Sequence, residues 1–392
     1  MEWLFWISLG LVAYAYAGYP VLLAIIAGLV RRTGAGTDPG AESKSAGSPL
    51  PTVTIIIPAY NEEVSIESKL ESFLALDYPA DRLELIVCSD GSTDGTKEKV
   101  HRYLSPRLKL IAHPDRRGKM QVLNEAVSRV SSEIVVFSDA EARFHPQALR
   151  RLVRHFQFPK VAAVFGWREM RGGREEAARE SAYWRYEKWI RRTEDQIGAT
   201  IVCSGAILAL RRRAYRPLAA HLICDDLFIP LDLRVRGWQL VFEPAAVVYE
   251  QPTSTLAGDF LRRVRLGAGG FQSLRFVGAN LMGGDLRGLF AYVSHKLLRW
   301  LTPFFLLSAL WANLTLLRFP LYQGLLAAEL VLCGFAFYGF WQEKQGRPVR
   351  LLGPLCYFLA MNLAFLLGAF RYLGGGQEVK WEKIETRPSA SA

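Results

Sequence analysis

No cysteine of this chain stands in a CxxC pair. The five, Cys88, Cys203, Cys224, Cys333 and Cys356, are odd in number and widely spaced, which speaks against a zinc site and against a disulfide framework. They read as small buried hydrophobes in a reducing compartment. A Lys/Arg tail is missing as well. The formal net charge of +11 comes from 48 Lys and Arg against 37 Asp and Glu, but the basic residues are mostly Arg and are scattered. That distribution does not suit nucleic acid; lipid headgroups and phosphorylated substrates are the partners expected of it. Residues 3–30 lack charge altogether.

Those 28 uncharged residues are ample for one membrane span at about 1.5 Å per residue. The AYAYAG stretch (Ala13 to Gly18) imitates a cleavage site. The n-region carries no Lys or Arg, however, and the apolar run continues past Gly18, so residues 1–32 read as an uncleaved anchor. Arg31 and Arg32 place its C-terminal end in the cytoplasm. Residues 33–51 form a Gly/Ser/Pro/Ala linker. The last hundred residues turn apolar again, with candidate spans at 301–317, 321–341 and 351–373. Lys344, Arg347 and Arg350 mark the loop between the last two as cytoplasmic. Ala291 to Trp300 mixes His295, Lys296 and Arg299 with apolar residues, the pattern of an interfacial helix whose basic side chains reach headgroups. Glu329, Asn313 and Asn362 fall inside the spans, where they either line a polar path or bond neighbouring helices together.

Between the apolar ends, residues 52–288 open with alternating strand and helix patterns. Thr52 to Ile57, Leu83 to Asp90, Leu108 to His113 and Glu133 to Asp139 read as strands, with helices near 62–76, 94–104 and 118–130. This repetition predicts an α/β domain with a mostly parallel sheet covered on both faces. Ligands of such sheets bind beyond the carboxyl ends of the strands, and acidic residues gather there. Tyr60 and Glu62 follow the first strand, Asp90 ends the second, and Asp139 and Glu141 end the fourth. Asp94 reads first as a helix cap. Two carboxylates two residues apart at the end of a buried strand suit a hard cation shared with substrate phosphates.

IPAYNE, SDGSTDGT, RRGKMQVLNEA and FSDAEA, in this order and spacing, resemble family-2 glycosyltransferases of the GT-A (Rossmann-like) fold, in particular the cellulose-synthase-like membrane branch. The resemblance covers about residues 52–300. It implies an inverting, metal-dependent hexosyltransferase with Mg2+ or Mn2+ as cofactor and a nucleotide-diphosphate sugar, such as a UDP-sugar, as donor. Tyr60, Glu62 and Asp90 would hold the nucleotide, Lys119 would approach the diphosphate, and Asp139 and Glu141 would stand at the metal. VCSGAILALRR resembles the acceptor-lining strand, with Ser204 and Gly205. HLICDDLFIP resembles the motif whose last Asp is the general base, here Asp226 beside Asp225. DFLRRVRLGAGGF resembles the basic acceptor motif, with Arg262, Arg263 and Arg265, although Leu266 stands where processive enzymes carry Trp.

The product is then a polysaccharide or, alternatively, a lipid or polyprenyl-phosphate acceptor carrying one added sugar. A non-enzymatic membrane scaffold is disfavoured by the intact acidic sites. The setting implied is a bacterial inner membrane with the catalytic domain cytoplasmic, domain 289–373 holding the interfacial helix and spans, and 374–392 forming a tail. Tyr183 to Glu194, aromatic and basic at helical spacing, either packs on the core or touches acceptor or lipid. Three full C-terminal spans would carry the tail outside, whereas VKWEKIETR (Val379 to Arg387) resembles a tail that lies on the cytoplasmic side in related synthases.

Overall fold

The computed structural model describes residues 1–32, 49–171, 174–251, 256–280, 284–345, 347 and 349–376. Most of the expected linker, and the Val379 to Arg387 tail, lie outside the described residues.

Eight strands form one sheet: β1 (Val53–Ala59), β2 (Leu83–Asp90), β3 (Leu108–His113), β4 (Ile134–Phe137), β5 (Arg143–Phe144), β6 (Val161–Met170), β7 (Leu208–Arg211) and β8 (Gln239–Glu250), in the order β3-β2-β1-β4-β7-β6-β8-β5. Every residue of β1 is buried, as expected of a β-branched strand covered on both faces. Alternation sorts its side chains. Ile55 and Ile57 join the core beneath the helices Ile66–Leu74 and Ala148–Val153, while Ile56 joins the opposite core beneath Lys119–Ser128 and Asp225–Val235.

The parallel expectation holds for β1, β2, β3 and β4. The second half differs, because β7 runs antiparallel to both β4 and β6. This reversal matters for the site. Leu208, at the start of β7, pairs with Phe137 at the end of β4, so residues 204–207 lie next to Ser138 and Asp139. A parallel β7 would have put them at the opposite edge of the sheet.

Among the described residues four helices are long and apolar enough to cross a membrane: Glu2–Arg32, Leu286–Thr315, Pro320–Gln342 and Gly353–Leu373. Leu286–Thr315 runs through the segment expected to lie in the interface. His295 and Arg299 are buried in it. Nδ1 of His295 lies 2.7 Å from Glu194, and Arg299 donates to Glu187. These basic side chains therefore pair with carboxylates of the helix Arg174–Gln196 rather than with headgroups. That helix, the aromatic and basic stretch of the sequence, joins the sheet domain to the long apolar helices. Tyr19 donates to Glu194 at 2.7 Å and Tyr186 to the Tyr16 carbonyl at 2.8 Å.

Among the long apolar helices Asn313 stands beside Glu329. Asn362 instead donates to the Phe358 carbonyl at 2.8 Å and stands beside Tyr16. The three polar residues thus fall into two separate groups. Phe5, Ala309, Ala312, Leu316 and Tyr322 pack the seam between the outer helix ends. The cysteines form no disulfide; all but Cys333 are buried.

Candidate functional site

The loops after β1 and β2 lock to each other first. Asn61 adopts a positive φ of 55°, a conformation that Asn tolerates better than most residues. Its side-chain oxygen accepts from Thr93 N at 2.8 Å, while its own N–H donates to Ser92 Oγ at 3.2 Å. Glu62 is buried, with its N–H on Thr96 Oγ1 at 2.8 Å. Asp94 accepts from Thr96 N at 3.0 Å, the local turn-capping role. Gly91 has φ of 69°, and a Cβ there would come within 2.7 Å of Arg116 N. Only glycine lets the loops after β2 and β3 approach so closely.

Asp90 is fully buried, and both of its carboxylate oxygens are engaged by backbone: Arg117 N at 2.6 Å and Gly118 N at 3.0 Å. Its observed role is to fix the loop that presents Arg116 and Lys119. Arg116 stacks over the Tyr60 ring at 3.7 Å. Asp90→Asn replaces one charged acceptor with an amide N–H2 that faces an N–H donor. Donor KM is expected to rise about tenfold, in line with the roughly 1.5–3 kcal/mol of a hydrogen bond to a charged group, with kcat less affected. Steady-state kinetics against donor concentration check this.

Lys119 lies at the centre. Its ammonium reaches Asp139 Oδ1 at 2.9 Å and Asp225 Oδ2 at 3.1 Å. Burial opposes this charge, but Asp139 and Asp225 outweigh it and hold the lysine above its ordinary range. Burial likewise raises Asp139, yet Lys119, then Arg262 and Lys69, bring it below the usual carboxylate range. Gly205 abuts the cluster. A Cβ there would lie 3.6 Å from Asp139 Oδ2, 3.7 Å from Asp226 Cβ and 3.8 Å from Lys119 Nζ. Cys203 N donates to the Asp226 carbonyl at 3.1 Å, tying the Ser204–Gly205 loop to the first turn of Asp225–Val235.

Asp225 and Asp226 are chemically distinct here. Asp225 is the lysine's partner. Asp226 is pushed up, first by burial and next by the Asp225 charge, the condition that keeps a proton acceptor useful near neutrality. Glu141 is also pushed up, to about 7, by burial and then by Glu250, Glu62 and Asp139.

Among the described residues no three metal-ligating side chains converge. A cation at Asp139 and Glu141 would therefore complete its shell with substrate phosphate oxygens, as Mg2+ commonly does. The negative charges that raise Glu141 fit such an ion, because its charge would offset their repulsion.

The three arginines of the basic motif part company. Arg262 faces Asp139 and Glu141. Arg263 instead stacks over Tyr357 of the Gly353–Leu373 helix at 4.7 Å, and Arg265 donates to the Ile223 carbonyl at 3.1 Å. Arg263 points about 100° round the helix from Arg262, whereas Arg265, three positions on and on the same face, is taken up by the Ile223 carbonyl. Leu266 is exposed.

Lys69 was not foreseen. It is fully buried, with its ammonium on Ser138 Oγ at 2.6 Å and on the Ala142 carbonyl, so it anchors both ends of the Asp139–Glu141 loop. In sequence it is one lysine in an amphipathic helix and carries no signal. Arg116 did carry one, as part of the basic run before Gly118.

A mannosyltransferase from Pyrobaculum calidifontis, solved with GDP-Man and Mn2+, shares this fold with a TM-score of 0.70 at 24% identity, over 95% of this chain and all of that one. Curated relatives include the poly-beta-1,6-N-acetyl-D-glucosamine synthase of Staphylococcus aureus, 27% identical over 232 residues (57% of this chain, 56% of the relative). That of Staphylococcus epidermidis is 26% identical over 238 residues (59% and 57%). The match thus spans little more than half the length of these relatives. The model of the family described as glycosyltransferase like family 2 matches residues 51–269, more than half of the chain and every loop of the acidic cluster, and the chain belongs to that family.

Proposed function

We propose that this enzyme extends a polysaccharide at a bacterial inner membrane, taking sugar from a nucleotide-diphosphate donor, a UDP-sugar in the first instance, with inversion at the anomeric carbon. The observation that carries the reading is the division of labour around Lys119. One carboxylate of the Asp225–Asp226 pair is consumed by the lysine, and the other is left raised and facing the same space. Asp226 accepts the proton of the acceptor hydroxyl as that oxygen bonds to the anomeric carbon. The bond from that carbon to the diphosphate oxygen breaks, and the nucleoside diphosphate leaves with the electron pair. Lys119 and Arg262 set positive charge beside it. Asp139 and Glu141 would hold a divalent cation, Mg2+ or Mn2+, which would supply neutralisation of the leaving diphosphate. One base and a single displacement give inversion.

The similarity to poly-beta-1,6-N-acetyl-D-glucosamine synthases supports a polymeric product. A second reading, one sugar added to a lipid-linked acceptor, is favoured by Leu266 in place of a sugar-stacking aromatic and by the packed seam at Phe5 and Tyr322. The test is to incubate membranes with a panel of radiolabelled nucleotide sugars and a divalent cation, then resolve products by length. A ladder of long glycans is expected. A single labelled lipid species would establish the second reading, and no incorporation from any donor would overturn both.

A further inference from the structure

By length and composition Gly353–Leu373 matches the other membrane helices, but its neighbours set it apart. Height above the catalytic domain can be measured along Glu2–Arg32, at about 1.5 Å per residue. At its foot Arg31 donates to Gln196 at 2.9 Å. The highest of these bonds to the catalytic domain is that of Tyr186 to the Tyr16 carbonyl at 2.8 Å. Farther out, about 16 Å beyond Tyr16, Phe5 meets Tyr322 with ring centroids 5.3 Å apart. From Tyr322 the helix Pro320–Lys344 returns inward until the Ala336 carbonyl accepts from Cys356 Sγ at 3.4 Å. Phe358 then packs edge-on against Tyr16 at 5.3 Å. The chain is therefore back at the level of the domain where Gly353–Leu373 begins.

A further crossing would lift Phe365 and Gly368 about 10 and 15 Å above Phe358, towards the height of Phe5. Both residues instead touch the helix Leu256–Asn280. A Cβ on Gly267 would lie 3.2 Å from Phe365 Cα, and one on Gly368 would lie 2.6 Å from the Val264 carbonyl. Leu256–Asn280 is part of the catalytic domain: Arg265 donates to the Ile223 carbonyl, Gln272 to the His221 carbonyl, and Arg262 faces the acidic cluster. On the outer face of Gly353–Leu373, Leu363, Leu367 and Phe370 recur at i, i+4 and i+7 and are exposed. Lys344, Arg347 and Arg371 are exposed at its two ends, where basic side chains pair with anionic headgroups.

We propose that Gly353–Leu373 does not cross the bilayer but lies along the leaflet that faces the catalytic domain, with Leu363, Leu367 and Phe370 in the acyl boundary. The chain then crosses three times, and residue 376 stays on the catalytic side. The helix that aims Arg262 at the acidic cluster is thereby set on the lipid surface.

The test uses the full chain in sealed vesicles with the catalytic domain outward, in a Cys333→Ala background. The remaining native cysteines are buried. An impermeant maleimide is applied to variants that each carry one added, exposed cysteine. Asp81→Cys, with an exposed side chain, reports the catalytic side, and Arg318→Cys, in the exposed turn before Pro320, reports the far side. Gly376→Cys is expected to label as Asp81→Cys does; labelling only after the vesicles are opened, as for Arg318→Cys, overturns the proposal. Nitroxides at Leu363→Cys, Leu367→Cys and Phe370→Cys give depths by oxygen against nickel-chelate quenching. Three shallow depths within about 5 Å are expected, whereas a crossing helix separates Leu363 from Phe370 by about 10 Å. Protection from both quenchers, as burial against a second copy would produce, also overturns it.

Discussion

Asp226→Asn is expected to cut turnover by about two orders of magnitude or more, typical of losing a general base, while donor affinity stays near that of the unaltered enzyme. The amide keeps the shape of the carboxylate but cannot accept the acceptor's proton. Affinity holds because the Lys119 contacts run to Asp139 and Asp225 rather than to Asp226. The pH profile supplies an independent check. Burial and the Asp225 charge raise Asp226, and only its deprotonated form is active. Activity should therefore fall as pH falls, with an acid limb above the ordinary aspartate value of about 3.9. The measurement is made at saturating divalent cation, so that Glu141, which lies at about 7 in the free protein, is already ionised by its ligand. Single-turnover rates and donor binding by calorimetry separate the two effects. Lost donor affinity with turnover preserved would move Asp226 to the donor site and leave the base unassigned.

Asp139→Asn should reduce transfer to background, and excess chelator should do the same to the unaltered enzyme. A neutral amide is a poor ligand for Mg2+ or Mn2+, and the diphosphate charge is then left uncompensated. The substitution also removes one of the two anchors of Lys119, so the ammonium is left with Asp225 alone. Both effects act on the departing nucleotide, which is why this loss should exceed that of Asp90→Asn. Asp139 is only half-buried, so the variant should fold, and an unchanged melting temperature in detergent would show it. Full activity in excess chelator would remove the cation from the mechanism and leave Lys119 and Arg262 as the charges facing the diphosphate.

Much of this was legible in the order of residues. The β-branched runs of β1 and β2 and the acidic ends of β2 and β4 are local patterns, set by alternation and by turn chemistry within a few residues. The four N-terminal motifs therefore announced the family and the edge of the sheet where the acidic cluster gathers. The uncharged run from residue 3 to 30 announced an N-terminal helix long and apolar enough to cross a membrane for the same reason: bilayer thickness is a property that a single segment can match.

What the tertiary structure decided were relations between distant segments. The antiparallel insertion of β7 placed Gly205 against Asp139, a consequence of strand order that no local period records. Lys119 met Asp225 across 106 positions of chain, and that meeting separated Asp225 from Asp226, whose adjacent carboxylates are equivalent on paper. Arg262, Arg263 and Arg265 shared one basic motif, but helical rotation turned Arg263 to Tyr357 and the Ile223 carbonyl took Arg265, leaving only Arg262 beside the acidic cluster. His295 and Arg299 had the composition of a headgroup-facing helix and became buried partners of Glu194 and Glu187, because the carboxylates able to pair with them lie about a hundred residues earlier. An apolar period shows that a face must leave water; only packing decides whether protein or lipid covers it.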